Sequence, residues 1–278
     1  MVQELDDVPG RVANKIAIVV GGGQTPGETI GNGRATALLL AREGARVVVA
    51  DRRVDSAQDT VNMITGEGGE ATACEVDVTV EDSVAAMIRS VVERFGSIDI
   101  LHNNVGASIA LGDARADAMT VEAFDRSFAV NFKSAWLAAK HALPSMRERG
   151  GGSIVNISSL AAWEAYPLVG YKTMKAALLA LTENLAAANA RYGVRVNAIL
   201  PGLMNTPMAI EARVGQGTLS REQVIAARNK RVPLKNQMGT AWDVAYAALF
   251  LHSDEAKFIS GALLPVDGAA AASFGAYE

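Results

Sequence analysis

The sequence predicts an α/β fold: a doubly wound, seven-stranded parallel sheet with helices on both faces. Three observations lead there. Short β-rich runs alternate with stretches that carry apolar residues at helical spacing. Runs such as IAIVV and RVVVA are apolar without a break, as strands covered on both faces must be. No repeat, low-complexity tract or Pro/Ser-rich linker divides the 278 residues, so one domain spans the chain.

Taken in order, strands are expected at 15–20, 45–50, 71–76, 98–103, 153–158, 194–200 and 262–266. Helices are expected at 34–43, 80–95, 121–149 and 171–192, each long enough and apolar at the right spacing. Residues 201–240, with Pro201, Pro207, Gly215, Gly217 and Pro233, break this rhythm and form a long excursion beyond the sixth strand. Excursions of that length serve as lids or binding loops, and 203–235 is expected to be the substrate loop.

Composition excludes several function classes. Half the residues are hydrophobic and a fifth charged, so a core is affordable and disorder is not indicated. Twenty-six Lys and Arg against 30 Asp and Glu give a net charge of −4, with no basic run to neutralise a phosphate backbone, so no nucleic-acid partner is expected. No apolar stretch approaches the ~18 residues of a membrane span, and the acidic start at 1–7 lacks the basic region of a signal peptide. A cytoplasmic protein that does not cross a membrane is the expectation. Cys74 is the single cysteine and reads as a buried structural thiol. His102, His141 and His252 are far apart without ligand spacing, so no metal is expected.

The first strand runs into Gly21, Gly22 and Gly23, then Gly27, Gly31, Asn32 and Gly33 before a helix. Glycines there let the backbone approach a pyrophosphate, which the free N–H groups of a helix start attract. Asp51 ends the second strand, eighteen residues after Gly33, where a carboxylate can accept hydrogen bonds from both adenosine ribose hydroxyls and repel the extra phosphate of NADP. NAD is therefore the expected cofactor. Arg52 and Arg53 keep NADP as the alternative, because guanidinium forks also hold phosphates. Asp77-Val78 and Asn103-Asn104-Val105-Gly106 close the next two strands along the same rim, the first placed to meet adenine, the second to brace backbone between strands.

Tyr171 and Lys175 stand four positions apart at the start of a helix, so both project from one face, about 6 Å apart along the axis. Lowering a phenol from ~10 by two to three units takes about 3 to 4 kcal/mol. An ammonium ~4 Å away in a partly shielded cleft supplies about 4 kcal/mol. Ser158 and Ser159 close the fifth strand, where a hydroxyl can bond the reacting oxygen; Asn131 can hold water beside the lysine.

These motifs, in this order, resemble the short-chain dehydrogenase/reductase family from about residue 15 to 268. The resemblance rests on the glycine-rich turn, Asp51, Asp77-Val78, the Asn103–Gly106 run, Asn131, Ser159, Tyr171-Lys-Thr-Met-Lys175, the Asn197–Pro207 run and Leu264-Pro-Val-Asp-Gly268. It implies a Rossmann fold, Tyr171 as general acid/base, and Lys175 lowering the phenol's pKa and binding the nicotinamide ribose. It also implies Ser159 on the substrate carbonyl, Asn131 anchoring a proton relay, and Pro201, Gly202 and Thr206 bordering nicotinamide and pyrophosphate. Three departures stand out. Eight residues rather than three separate Gly22 from Gly31, so the turn must bulge; Ser158, not Ser159, has the family's more frequent spacing to Tyr171; Val105 replaces the common alanine.

The expected function is hydride transfer between NAD(H) and a secondary alcohol or ketone. Leu160, Trp163, Leu168, Leu203 and Met204, with Tyr166, suggest a mostly hydrophobic or cyclic substrate. Alternatives are an NADP-dependent ketone reductase and a dinucleotide-binding sensor without turnover. Apolar residues on most faces of the helices around 131–141 and 176–190 suggest self-association, and the resemblance implies a homotetramer.

Overall fold

The computed structural model describes residues 10–214 and 219–273. The seven expected strands form: β1 (Ile16–Val20), β2 (Arg46–Asp51), β3 (Glu70–Glu75), β4 (Ile100–Asn103), β5 (Gly152–Ile157), β6 (Val194–Pro201) and β7 (Leu263–Val266). They join one parallel sheet in the order β3-β2-β1-β4-β5-β6-β7. Strand order reverses between β1 and β4, where Val20 pairs with both Ala50 and Asn103, so a crevice opens beyond the strands' carboxyl ends at that point.

Helices cover both faces: α1 (Asn32–Arg42), α2 (Val54–Gly66), α3 (Glu81–Phe95), α4 (Val121–Phe128), α5 (Ser134–Arg149), α6 (Val169–Asn189), α7 (Pro207–Val214), α8 (Arg221–Asn229) and α9 (Ala241–His252). The two-residue period of β1 divides the core. Ile16, Ile18 and Val20 pack on one face with residues of α3 and α5, while Ala17 and Val19 pack on the other with α1, α2 and α9.

Three local expectations change. The helix expected at 121–149 is α4 and α5 joined through a π turn, Ala129–Lys133, which widens the helix around Asn131. The excursion at 201–240 is not a plain loop; it folds into α7 and α8, which bury Ile210 and Val224 together with Val232 and Met238. Pro207 starts α7 at the position where a missing N–H costs nothing. Cys74 lies on the edge strand β3 and is only partly buried, because a strand paired on one side leaves half its surface to solvent.

Two histidines that the sequence kept apart meet inside the fold. His102 on β4 and His252 at the end of α9 are buried, with His102 Nδ1 3.3 Å from His252 Nε2 and His252 Nδ1 3.0 Å from Ser153 Oγ. Burial pushes His102 down to about 3 and His252 well below the ordinary imidazole value. Among the described residues, no group of three or more His, Cys, Asp or Glu is arranged to hold a metal.

Candidate active site

Because the sheet is parallel, the loops that follow its strands share one rim. After β1, the chain does not turn directly into α1. Gly21 takes a left-handed φ of 80°, and its N–H donates to Ala50 O at 2.7 Å. The bulge then lies along the start of α2: Gln24 N–H donates to Ser56 Oγ at 2.7 Å, and Thr60 Oγ donates to Gly22 O at 2.9 Å. Gln24 closes the bulge on itself, its amide donating to Thr29 O at 3.1 Å and accepting from Gly31 N–H at 2.9 Å. Gly31 is the residue before α1, while Gly27 is displaced against Pro207 and Glu211 of α7. Gly33 lies where helix and strand touch: a Cβ there would sit 2.0 Å from Gly21 O.

A dinucleotide fits this end of the molecule. The first turn of α1 has no side-chain cap and no acidic residue, so its leading N–H groups are open to an anion. The buried Thr29 Oγ, Asn32 Oδ1 and Asn205 Oδ1 have no protein partner among the described residues. Asp51 at the end of β2 accepts Gly23 N–H at 3.1 Å and Arg53 N–H at 3.0 Å, which fixes its carboxylate at the rim. Beside it, Gln24, Pro26, Arg34, Arg52, Arg53 and Ser56 line an open groove of about 600 Å³. Two of its arginines are committed. Arg34 donates to Thr60 Oγ and Ser56 O at 2.9 and 3.1 Å, and Arg53 donates to Gln24 O.

Further along the rim, Asp77 accepts the Thr79 hydroxyl at 2.6 Å and its N–H at 2.9 Å, hydrogen bonds that hold the carboxyl below its usual range, and Val78 packs on the core. Asn104 Nδ2 donates to Gly21 O at 3.1 Å and so braces β1 against β4. Asn103 turns inward instead: its Nδ2 donates to Asn156 Oδ1 at 2.9 Å, and Asn156 donates to Thr182 Oγ at 3.0 Å. Val105 Cγ2 would lie 3.0 Å from a Cβ at Gly21, and a Cβ at Gly106 would lie 2.9 Å from Lys175 Nζ, so both positions limit side-chain bulk on the crevice floor. Gly202, after Pro201, presses against Asp267, and the buried Thr206 starts the turn into α7.

The catalytic candidates converge on α6. Lys175 Nζ is 5.7 Å from the centre of the Tyr171 ring. It is 2% exposed and donates to Ile157 O at 2.9 Å and Val105 O at 3.3 Å. Among the described residues no carboxylate offsets that burial, which pushes the amine down to about 7. Burial pushes the Tyr171 phenol up to about 12; Tyr166 and Asp113 add to the rise, and a hydrogen bond from Ser159 and the charge of Arg213 oppose it. In the chain by itself, burial thus moves both groups toward their neutral forms, the phenol up and the amine down. Ser159 faces the phenol, whereas the Ser158 hydroxyl is spent on Lys175 O at 2.7 Å.

Asn131, at the centre of the π turn, uses its amide on the loop after β4. Nδ2 donates to Ala107 O at 2.8 Å and Ser127 Oγ at 3.2 Å, and Oδ1 accepts Ala107 N–H at 2.9 Å. Of the residues expected to shape a substrate pocket, Leu160 and Met204 are buried in the core; Trp163 is exposed, and the Tyr166 ring lies 6.1 Å from the Tyr171 ring at a tilt of 50°.

Sequence reasoning missed Asp113. Helix α6 begins after Leu168, which offers no capping side chain. The buried Asp113 carboxylate accepts Gly170 N–H at 2.8 Å, Tyr171 N–H at 3.1 Å and the Ser108 hydroxyl at 2.7 Å, while Ala114 O accepts Val169 N–H. A carboxylate on a helix N-terminus is favoured by the free N–H groups and the dipole. A cap lent from 57 residues away leaves no local motif in the sequence.

Comparison with known proteins gives the same answer from another direction. A family model described as Enoyl-(Acyl carrier protein) reductase matches residues 28–269. The chain is 36% identical over 261 residues to the 2-(R)-hydroxypropyl-CoM dehydrogenase of Xanthobacter autotrophicus, covering 92% of this chain and 98% of that one. A short-chain dehydrogenase/reductase structure from Burkholderia xenovorans superposes with a TM-score of 0.88 at 38% identity, over 95% of this chain and 98% of that chain. A 7α-hydroxysteroid dehydrogenase solved with NADH and 7-oxo glycochenodeoxycholic acid superposes with a TM-score of 0.82 at 33% identity, over 93% and 94% of the two chains. With the parallel sheet, the glycine crevice and the Ser-Tyr-Lys cluster in place, the chain belongs to the short-chain dehydrogenase/reductase family of oxidoreductases.

Proposed function

We propose that the protein interconverts a secondary alcohol and a ketone of mostly hydrophobic or cyclic body, with NAD(H) as cofactor and Tyr171 as general acid/base. One observation carries the reading: a phenol, a hydroxyl and an amine from β5 and α6 meet at the rim that also holds the uncapped start of α1 and Asp51. Thr29, Asn32 and Gly33 would hold the pyrophosphate end, Asp51 the adenosine ribose, and Lys175 the nicotinamide ribose. When bound, the nicotinamide supplies or accepts the hydride.

The chain's own residues manage the proton. In reduction, Ser159 donates to the carbonyl oxygen and polarises it. As negative charge gathers on that oxygen, the Tyr171 O–H would deliver its proton there. The phenol is held neutral by burial, so it is ready as an acid at neutral pH. Lys175 then returns a proton to the phenolate, and the reverse sequence serves oxidation.

We favour NAD over NADP because Arg34 and Arg53 are already committed to backbone and hydroxyl oxygens, and a ribose 2′-phosphate would meet the Asp51 carboxylate held at the rim. A second reading, NADP, draws on Arg52 in the same groove. Incubating the purified protein with NAD⁺ or NADP⁺ and a panel of secondary alcohols, while following nicotinamide absorbance, tests both. NAD⁺ turnover is expected, with Asp51→Ala raising the KM for NAD⁺ by about tenfold or more through loss of charge-assisted hydrogen bonds. Preference for NADP⁺ that survives Asp51→Ala would install the second reading, and tight NAD⁺ binding with no turnover across the panel would make the protein a sensor.

The same reading makes the protein a cytoplasmic homotetramer, a single catalytic domain whose 203–235 segment covers the substrate. Val121, Phe124, Phe128 and Trp136 are exposed along α4 and α5, an apolar stripe suited to self-association. Sedimentation as a monomer would remove that part.

A further inference from the structure

Arg228 is anomalous for a charged residue. It shares the inward face of α8 with Val224, four positions earlier, and is 8% exposed. Among the described residues its side chain has neither a hydrogen bond nor a carboxylate within salt-bridge distance, and Nε is a buried donor without a partner. A buried guanidinium left so is costly, and native structures rarely keep one without a counter-ion. Its surroundings deepen the cost. The charges of Arg213 on α7 and of Arg231 bear on it, with Tyr166 and Glu164 as the opposing groups, and it remains cationic at neutral pH, with burial pushing it down to about 10. Arg213 is near enough for its charge to bear on Tyr171, and the Tyr166 ring, which bears on Arg228, lies 6.1 Å from the Tyr171 ring, so both guanidiniums lie on the Tyr166 side of the phenol.

We propose that Arg228, assisted by Arg213, forms an oxyanion subsite, so that the substrate is an alcohol or ketone carrying a carboxylate. This rests on the function proposed above and narrows its substrate class. The apolar body would lie along Tyr166 and Trp163, the reacting oxygen at Ser159 and Tyr171, and the carboxylate in the fork of Arg228, where a planar guanidinium gives two parallel hydrogen bonds.

The test compares oxo acids with their amides on the whole protein: 4-oxopentanoate, 4-oxocyclohexanecarboxylate and 4-acetylbenzoate, each beside its carboxamide, by calorimetry with NAD⁺ present so that no reduction occurs. At least one acid is expected to bind about tenfold or more tightly than its amide, and Arg228→Gln to remove that preference while leaving amide binding unchanged. Arg213→Gln should reduce the preference in part. Equal binding of acid and amide throughout the series on the unaltered chain overturns the proposal whether or not the variants fold, as does a preference that survives Arg228→Gln in a protein of wild-type melting temperature. Tyr171→Phe separates the two readings: it should abolish turnover and keep the acid preference. Acid binding without turnover by the unaltered chain would retire the catalytic reading alone, and turnover without acid preference would retire the subsite alone.

Discussion

Replacing Tyr171 with phenylalanine is expected to lower kcat for ketone reduction by about two to four orders of magnitude, the usual contribution of a positioned general acid. NAD(H) affinity should change little. The substitution removes one oxygen from a ring that stays packed against Tyr166, and the cap from Asp113 binds the backbone N–H at 171, not the side chain. Without the phenol, the oxygen of the reduced carbonyl has only the Ser159 hydroxyl nearby, which can polarise but is a poor proton donor. Stopped-flow absorbance with saturating NADH checks this. A variant that retains more than about a tenth of the wild-type rate would contradict the assignment.

The second large effect concerns stability. His102 and His252 are held neutral by burial, His102 down to about 3, whereas in the unfolded chain each titrates near ~6.5. Between those values the unfolded chain binds more protons than the folded one, so stability falls as pH falls below about 6.5. Each histidine contributes about 1.4 kcal/mol per pH unit, so the pair removes roughly 2 to 3 kcal/mol for each unit once pH is well below 6. Against a typical stability of about 5–15 kcal/mol, a loss of that size per unit is a substantial fraction of the total. Lys175 does not contribute in this window, because below about 7 it is protonated in both states. Urea unfolding at pH 7, 6 and 5 measures the slope, and a curve flat from pH 7 to 5 would show that the pair admits protons without unfolding.

Much of this was legible in the sequence, and the reasons differ by residue. Strands such as IAIVV and RVVVA declare themselves because a doubly covered parallel strand must be apolar on both faces. Tyr171 and Lys175 declare themselves because four positions make one helical turn. The strand-end positions of Asp51 and Ser159 follow from the same parallel sheet. What was illegible depends on contacts between distant segments. Asp113 caps α6 from another loop, His102 meets His252 across β4 and α9, and Arg228 differs from an ordinary surface arginine only in the face of α8 it occupies. A Coulomb estimate between two charges leaves out what each loses on leaving water, a loss that pushes the Tyr171 phenol up and the Lys175 amine down and that depends on burial no local pattern displays.

The claim at the centre is that a neutral, buried phenol gives its proton to the substrate oxygen. The pH dependence of kcat/KM for ketone reduction by the unaltered protein tests it most directly. The rate should hold level through neutral pH and fall about tenfold per unit only in the alkaline range where the phenol ionises. A rate that instead stays constant far into that range, or that rises with pH through neutrality, would contradict Tyr171 as the proton donor.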